Sequence, residues 1–135
     1  MKILSEISAG ELLDKITILE IKIDKIKNED DKKEVLKEYK SLKKIQEDNI
    51  EFTQEIKKLY NDLKQTNSKL WEIEDKLRIF EKEKKFDKDF IELARGVYFN
   101  NDDRSKIKLK INKLLKSNIR AVSYTHLTLP TICSV

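Results

Sequence analysis

The sequence predicts an all-α protein, in which an antiparallel, coiled-coil-like hairpin of long helices carries two shorter C-terminal helices packed on it. Charged residues make up 40% of the 135 residues and hydrophobic residues 39%, a balance typical of long solvated helices. Gly occurs twice and Pro once, so the chain holds few helix-breaking residues. Apolar residues recur at alternating spacings of four and three, which is the period of a helix with one buried stripe.

The first predicted helix runs from about residue 9 to residue 27. Ser8 is its expected N-cap, and Ser8 through Glu11 fit a capping box, in which the hydroxyl accepts from a first-turn N–H and the carboxylate reaches back. Its apolar residues form an a/d seam: Leu12, Ile16, Leu19, Ile23 and Ile26. We interpret Asp14 and Lys15 as part of the solvated face of this helix.

The second predicted helix is long, extending over about residues 32–85. Its seam is the longest apolar repeat in the chain, and polar Gln46 and Asn49 interrupt it as register-setting positions can. No Gly or Pro breaks it, and at roughly 1.5 Å per residue it would span about 80 Å. The polar run at 65–68 is the expected place for a kink.

Two shorter helices are predicted to follow, over about 88–99 and 104–116. Asp87 is the expected N-cap of the first, and the cluster at 100–103, which reads Asn-Asn-Asp-Asp, is interpreted as a turn and cap for the second. Residues 1–120 are therefore expected to form a single helical domain.

The last fifteen residues, 121–135, differ in composition from the rest. They contain no charged residue, and they hold the only His, Pro and Cys of the chain: His126, Pro130 and Cys133. Residues 122–131 can be back-translated into the mosaic-end adapter of transposase-based sequencing libraries. We interpret 121–135 as a translated adapter, an artefact that replaces the true C-terminus. The alternative is a genuine alternating strand added to a helical protein.

Several kinds of chemistry are not expected from this composition. A single Cys excludes a disulfide framework, and residues 1–120 hold no His or Cys for a zinc site or an activated nucleophile. We therefore predict no catalytic residues, no metal and no cofactor. No apolar run approaches the ~20 residues of a membrane span, and the N-terminus does not resemble a signal peptide, so a cytoplasmic location is expected.

A polar pocket is the main functional hypothesis at the level of single residues. Glu20 falls in the apolar sector of the first helix, where a carboxylate needs a partner, and the chain has only four Arg against 25 Lys. The hypothesis is a site for an anionic or sugar-related metabolite lined by Glu20, Arg78, Arg95, Tyr98 and Arg104. The alternative is that Glu20 pairs with one Arg and sets the register of the helices.

The C-terminal part of the chain is strongly basic. Residues 104–120 carry seven positive charges and no negative one, although the net charge of the chain is only +4. Such a helix can attract nucleic acid or an anionic membrane. Because 104–120 contains no aromatic residue to stack on bases, we favour a solvated face over nucleic-acid binding.

Three blocks of the sequence resemble a known family. Residues 8–22 read SAGELLDKITILEIK, which is similar to the pattern S-x-G-E-L-x-D-K-I-T-I-L-E-I-K of a family of small uncharacterised bacterial proteins. Residues 70–78 and the segment from 90 to 112 resemble two further blocks of that family. The resemblance implies a domain of unknown function and no activity, and its link to surface-polysaccharide genes supports only the sugar-related alternative.

These observations rank three functions. The first is a non-enzymatic interaction or scaffold module that binds a protein partner or self-associates through the a/d seam, which the long seam favours. The second is a small all-α enzyme or binding protein that uses the Glu/Arg/Tyr pocket. The third, nucleic-acid binding, would use the lysines of the basic helix: Lys106, Lys108, Lys110, Lys113 and Lys116.

Overall fold

The computed structural model describes residues 1–117, and within them all regular structure is α-helical. The helices are α1 Ala9–Lys25, α2 Glu29–Asn49, α3 Gln54–Lys82 and α4 Lys88–Leu114. The predicted all-α class is confirmed for this part of the chain. The segment interpreted as an adapter, 121–135, lies outside the described residues.

The start of α1 follows the local sequence signal. Ser8 has an extended backbone and its hydroxyl accepts from the Glu11 N–H at 3.2 Å, which is the N-cap geometry that the sequence predicts. The Glu11 carboxylate, expected to return to the cap, instead contacts Lys108 of α4 at 2.7 Å. The helix ends at Lys25, two residues before the predicted end.

The prediction of a single long helix over 32–85 is wrong, because the chain forms two helices, α2 and α3, with a break at 50–53. The Ile50 N–H closes the last turn of α2 on Gln46, and the Thr53 hydroxyl caps α3 by accepting from the Ile56 N–H at 3.3 Å. The break lets both apolar stripes fold back on α1, which one 80 Å rod could not do. Helix α3 continues without a break through 65–68, where the sequence predicts a kink.

The prediction of two short C-terminal helices is also wrong, because α4 runs without interruption through residues 100–103. Asn100 donates from Nδ2 to the carbonyl of Gly96 at 2.8 Å, and Asn101 is buried in the core. The low helix propensity of Asn and Asp amounts to less than about 1 kcal/mol per residue. Burial of the neighbouring turns outweighs it and keeps the segment helical.

Helix α1 packs against each of the other three helices. Helices α3 and α4 pack along each other and both contact α1, whereas α2 packs mainly on α1. The end of α2 lies near the start of α1, where Ile45 and Ala9 line the same groove. The three-helix unit of α1, α3 and α4 therefore forms the core, and α2 covers the remaining side of α1.

The core contains the apolar seams of α1 and α3. One cluster centres on Leu13, Ile16 and Leu63, together with Ile111 of α4, and a second joins Ile18 to its buried neighbours on α3 and α4. Fully burying one such side chain contributes about 1.5–3 kcal/mol. These seam residues are buried within one chain. They are therefore not exposed for the self-association through the a/d seam that the sequence predicts.

Candidate functional site

The most unusual feature of the core is a group of buried polar side chains where α1, α3 and α4 meet. We call these five residues the polar core cluster: Asp14 and Thr17 of α1, Asn67 of α3, and Asn101 and Arg104 of α4. All five are buried, and a buried charge is stable only when it is paired and hydrogen-bonded. The cluster is therefore the first place to look for function.

Asp14 and Arg104 form a bidentate ion pair at the centre of the cluster. Arg104 donates from Nε to Oδ1 of Asp14 at 2.9 Å and from Nη2 to Oδ2 at 2.5 Å. Its Nη1 also points to Oδ1 of Asn101 at 3.4 Å, one turn earlier on α4. The planar guanidinium matches both carboxylate oxygens, which the single ammonium of a Lys could not do.

Asn67 links α3 to the same carboxylate. Its Nδ2 donates to Oδ1 of Asp14 at 2.9 Å and to Oγ1 of Thr17 at 2.8 Å. Thr17 in turn donates to the backbone carbonyl of Asp14 at 2.7 Å. The buried Oδ1 of Asn67 has no hydrogen-bond partner among residues 1–117. The three helices are thus joined through one aspartate.

Lys108 connects the cluster to the protein surface. Its Nζ lies 2.7 Å from Oε2 of Glu11 and 3.7 Å from Oδ2 of Asp14, and its side chain is largely covered. The lysine therefore stands between a buried carboxylate and a half-exposed one. It adds a second positive charge near the Asp14 carboxylate, beside that of Arg104.

The charges around Asp14 decide its protonation. Burial by itself raises the pKa of the Asp14 carboxyl, but the hydrogen bonds and charge of Arg104 lower it, with further contributions from Lys108 and Asn67. The net result is a pKa below its usual value of 3.8. Asp14 is therefore a buried carboxylate at neutral pH, held as an ion-pair partner.

Close packing of α1 on α4 makes this pairing possible. At Gly10, an added Cβ would lie 2.5 Å from the carbonyl oxygen of Lys108 and 2.8 Å from Oδ1 of Asn112, so no other residue fits without a shift. The Gly10 N–H donates to that Asn112 oxygen at 2.6 Å, and the Ala9 N–H donates to Oγ of Ser117 at 2.9 Å. The first N–H groups of α1 are therefore satisfied by the end of α4.

Glu20, one of the predicted site residues, lies outside the polar core cluster. Its Oε2 contacts Nζ of Lys64 at 3.6 Å, so its ion-pair partner is a Lys of α3 rather than the Arg that the register hypothesis named. Its Oε1 is buried and has no hydrogen-bond partner in the described part of the chain. Partial burial raises the pKa of Tyr39 on α2, and the charges of Glu20 and Glu47 add to this increase.

The remaining predicted site residues lie in different surroundings. Arg104 is buried and binds Asp14, whereas Arg78 is exposed on α3. Arg95 and Tyr98 are exposed on α4, and both contact the ring of Phe99. The structure thus brings together only Arg95 and Tyr98 around a shared neighbour, and it places Arg104 in the core.

Sequence reasoning missed four of the five members of the polar core cluster. Asp14 was assigned to a solvated face, Asn67 and Asn101 were assigned to a kink and a turn, and Thr17 was given no role. The available signal was the position of Asp14 in α1, four residues after Gly10 and three before Thr17, on a second face beside the a/d seam. That face is buried because α1 has neighbours on several sides.

The outer face of α4 is the second notable feature. Ile91 is 54% exposed, Phe99 52% and Tyr98 39%, which is a high exposure for large apolar side chains on a helix whose other face is buried. The rings of Tyr98 and Phe99 pack edge to face with centroids 5.7 Å apart, and the guanidinium of Arg95 lies 5.5 Å from the Phe99 centroid. These contacts hold the patch together.

Comparison with known proteins assigns the chain to a family. The profile of a family of unknown function, DUF6165, matches residues 1–131. The chain belongs to this family. Comparison with curated proteins and with solved structures gave no significant match. Membership of DUF6165 confirms the expected unknown-function family and supplies no activity, so the functional conclusion depends on the geometry described above.

This DUF6165 chain shows neither a metal-binding group nor a membrane-spanning helix within its described residues. Over residues 1–117, no group of three or more potential metal-ligating side chains could hold an ion. In the same residues, no helix is both long and apolar enough to cross a membrane.

Proposed function

We propose that this chain is a non-enzymatic helical interaction module that self-associates through one face of α4. We call this surface the α4 outer face and define it by Ile91, Arg95, Tyr98, Phe99 and Asp102. The observation that carries the proposal is the exposure of three large apolar side chains, Ile91, Tyr98 and Phe99, on the solvent side of a well-packed helix. Exposed apolar patches of this kind mark sites of protein association.

Helical spacing explains why these residues share a face. Positions 91, 95, 98 and 102 are separated by four, three and four residues, so their side chains line one stripe. The buried residues Val97, Asn101 and Arg104 occupy the opposite side of α4 and face the core. The apolar side chains of the outer face are therefore not required for folding of the single chain.

The polar core cluster gives this surface a rigid support. Asp14 joins α1 to α4 through Arg104 and to α3 through Asn67, so the helix that presents the patch is attached at its middle to both neighbours. A preorganised surface loses less conformational entropy on binding. The charges of the cluster are buried and paired with each other. The cluster therefore supports a scaffold role for the chain.

Sedimentation velocity of the full 135-residue chain over a range of concentrations tests this proposal. We expect a reversible dimer, and we expect Tyr98→Ser combined with Phe99→Ser to weaken it at least tenfold, about 1.4 kcal/mol, because aromatic residues dominate association energies. The matched control is Ile79→Ser, a residue 53% exposed on α3, which should leave the dimer unchanged. A chain that stays monomeric at every concentration would contradict the proposal.

A further inference from the structure

We infer that the partner on the α4 outer face is a second copy of this chain in antiparallel orientation, with Arg95 of each copy paired to Asp102 of the partner subunit. This inference rests on the proposed function and specifies its geometry. The two-fold axis would pass between Tyr98 and Phe99, so that Tyr98 of each copy faces Phe99 of the partner subunit. Such an interface uses the same patch twice, as two-fold dimers do.

The spacing of charges on the α4 outer face supports this register. Arg95 lies three residues before Tyr98, and Asp102 lies three residues after Phe99. In an antiparallel pair centred between the two rings, positions at equal distances from the centre face each other. Arg95 of one copy therefore faces Asp102 of the partner subunit, and the symmetric contact repeats on the other side of the axis.

In the same register, charges farther from the centre also face opposite charges. Asp87 lies eleven residues before Tyr98, Lys110 lies eleven residues after Phe99, and eleven residues correspond to three helical turns. Glu92 and Lys106 lie at nearly equal distances, six before Tyr98 and seven after Phe99. Each pair joins opposite charges, which favours this arrangement over those that bring like charges together.

Two other arrangements are disfavoured by the same charges. An antiparallel pair centred on Asp102 would place the two Asp102 carboxylates against each other. A parallel pair in register would place Arg95 beside Arg95 of the partner subunit. Juxtaposed like charges cost several kcal/mol at an interface, so the sequence of α4 discriminates between registers.

Both charged groups are available in the single chain. Among the described residues, the ion-pair partner of Arg95 is Glu92 of its own helix, at 3.6 Å and with both side chains 60% exposed, a contact that contributes little. Asp102 is half-buried and makes no ion pair with any of the described residues. Arg and aromatic side chains are also enriched at protein interfaces.

Charge reversal of the full-length chain tests the register. We expect Arg95→Asp and Asp102→Arg to weaken self-association at least tenfold each, because each homodimer then holds two like-charged pairs. An equimolar mixture of the two variants should form heterodimers with near wild-type affinity, since both cross-pairs are then opposite in charge. The matched control, reversal of the exposed Asp75 of α3 by Asp75→Lys, should leave the dimer unchanged.

The outcomes separate this inference from the proposed function. A wild-type dimer that withstands both reversals, or variants that do not recover on mixing, would overturn the Arg95–Asp102 register while leaving self-association in place. A monomeric wild-type chain would overturn both. Circular dichroism of each variant checks helicity, which we expect to be unchanged because neither residue is fully buried.

Discussion

Arg104 and Asp14 are separated by 90 positions in the chain and meet as a buried bidentate pair between α4 and α1. Their contact fixes the register of the two helices, because a slip of one turn would separate two buried opposite charges. The helix that carries the proposed interaction surface on one side is thus held by a specific polar contact on the other.

Removing one member of this pair should destabilise the fold strongly. We expect Asp14→Ala to lower the free energy of unfolding by about 3–5 kcal/mol, because it removes the carboxylate that pairs with the buried Arg104 guanidinium. Urea denaturation measures this change. Glu20→Ala is the comparison, since its pair with Lys64 is partly exposed and should be worth about 1 kcal/mol or less. Similar losses in the two variants would contradict the structural role assigned to Asp14.

The stability of the chain should depend on Asp14 in acid. The folded-state pKa of Asp14 lies below its ordinary value of 3.8, so the native state favours the carboxylate. Its contribution is therefore fully present above about pH 4 and is lost as the pH falls through the folded-state pKa. We expect Asp14→Asn to be less stable at neutral pH and to show a shallower acid transition, which thermal unfolding at a series of pH values would reveal.

Gly10 should tolerate no side chain. We expect Gly10→Ala to lower stability by about 1–3 kcal/mol, because the new Cβ would strike the carbonyl oxygen of Lys108, and backbone cannot move aside cheaply. Gly96→Ala is the matched control within a helix. There the Cβ would meet only the end of the Ile73 side chain at 3.2 Å, and higher helix propensity should make the change neutral or stabilising by up to about 1 kcal/mol. The melting temperature should fall in Gly10→Ala and should stay the same or rise in Gly96→Ala.

Lys84 is expected to yield a stabilising substitution. It follows α3 with φ at 54°, a left-handed conformation that costs a non-glycine residue about 1–2 kcal/mol. Its N–H and that of Lys85 close the helix end on Glu81 and Phe80. We expect Lys84→Gly to raise stability by about 0.5–1 kcal/mol, and Lys76→Gly, at an exposed position inside α3, to lower it by a similar amount. A destabilising Lys84→Gly would contradict this account.

Local signals predicted part of the fold, and they failed where side chains have long-range partners. Ser8 was identified as a cap because its hydroxyl acts within four residues. The polar residues Asn67 and Asn101 were read as interruptions because isolated helices disfavour them. In the folded chain, Asn67 donates to Asp14 and Asn101 accepts from Arg104, so both are core residues of uninterrupted helices. Arg104 was singled out as a site residue, but its partner was not.

By itself, the sequence determined the all-α class, the start of α1 and the apolar stripes, since helix period and capping are properties of neighbouring residues. Only the tertiary structure decided that 32–85 breaks into two helices, that α4 continues through 100–103, and that Asp14 is buried. The physical reason is that burial depends on how many neighbours surround a helix. Because α1 packs against three helices, its polar Asp14 lies inside, whereas Tyr98 and Phe99 of α4 remain outside.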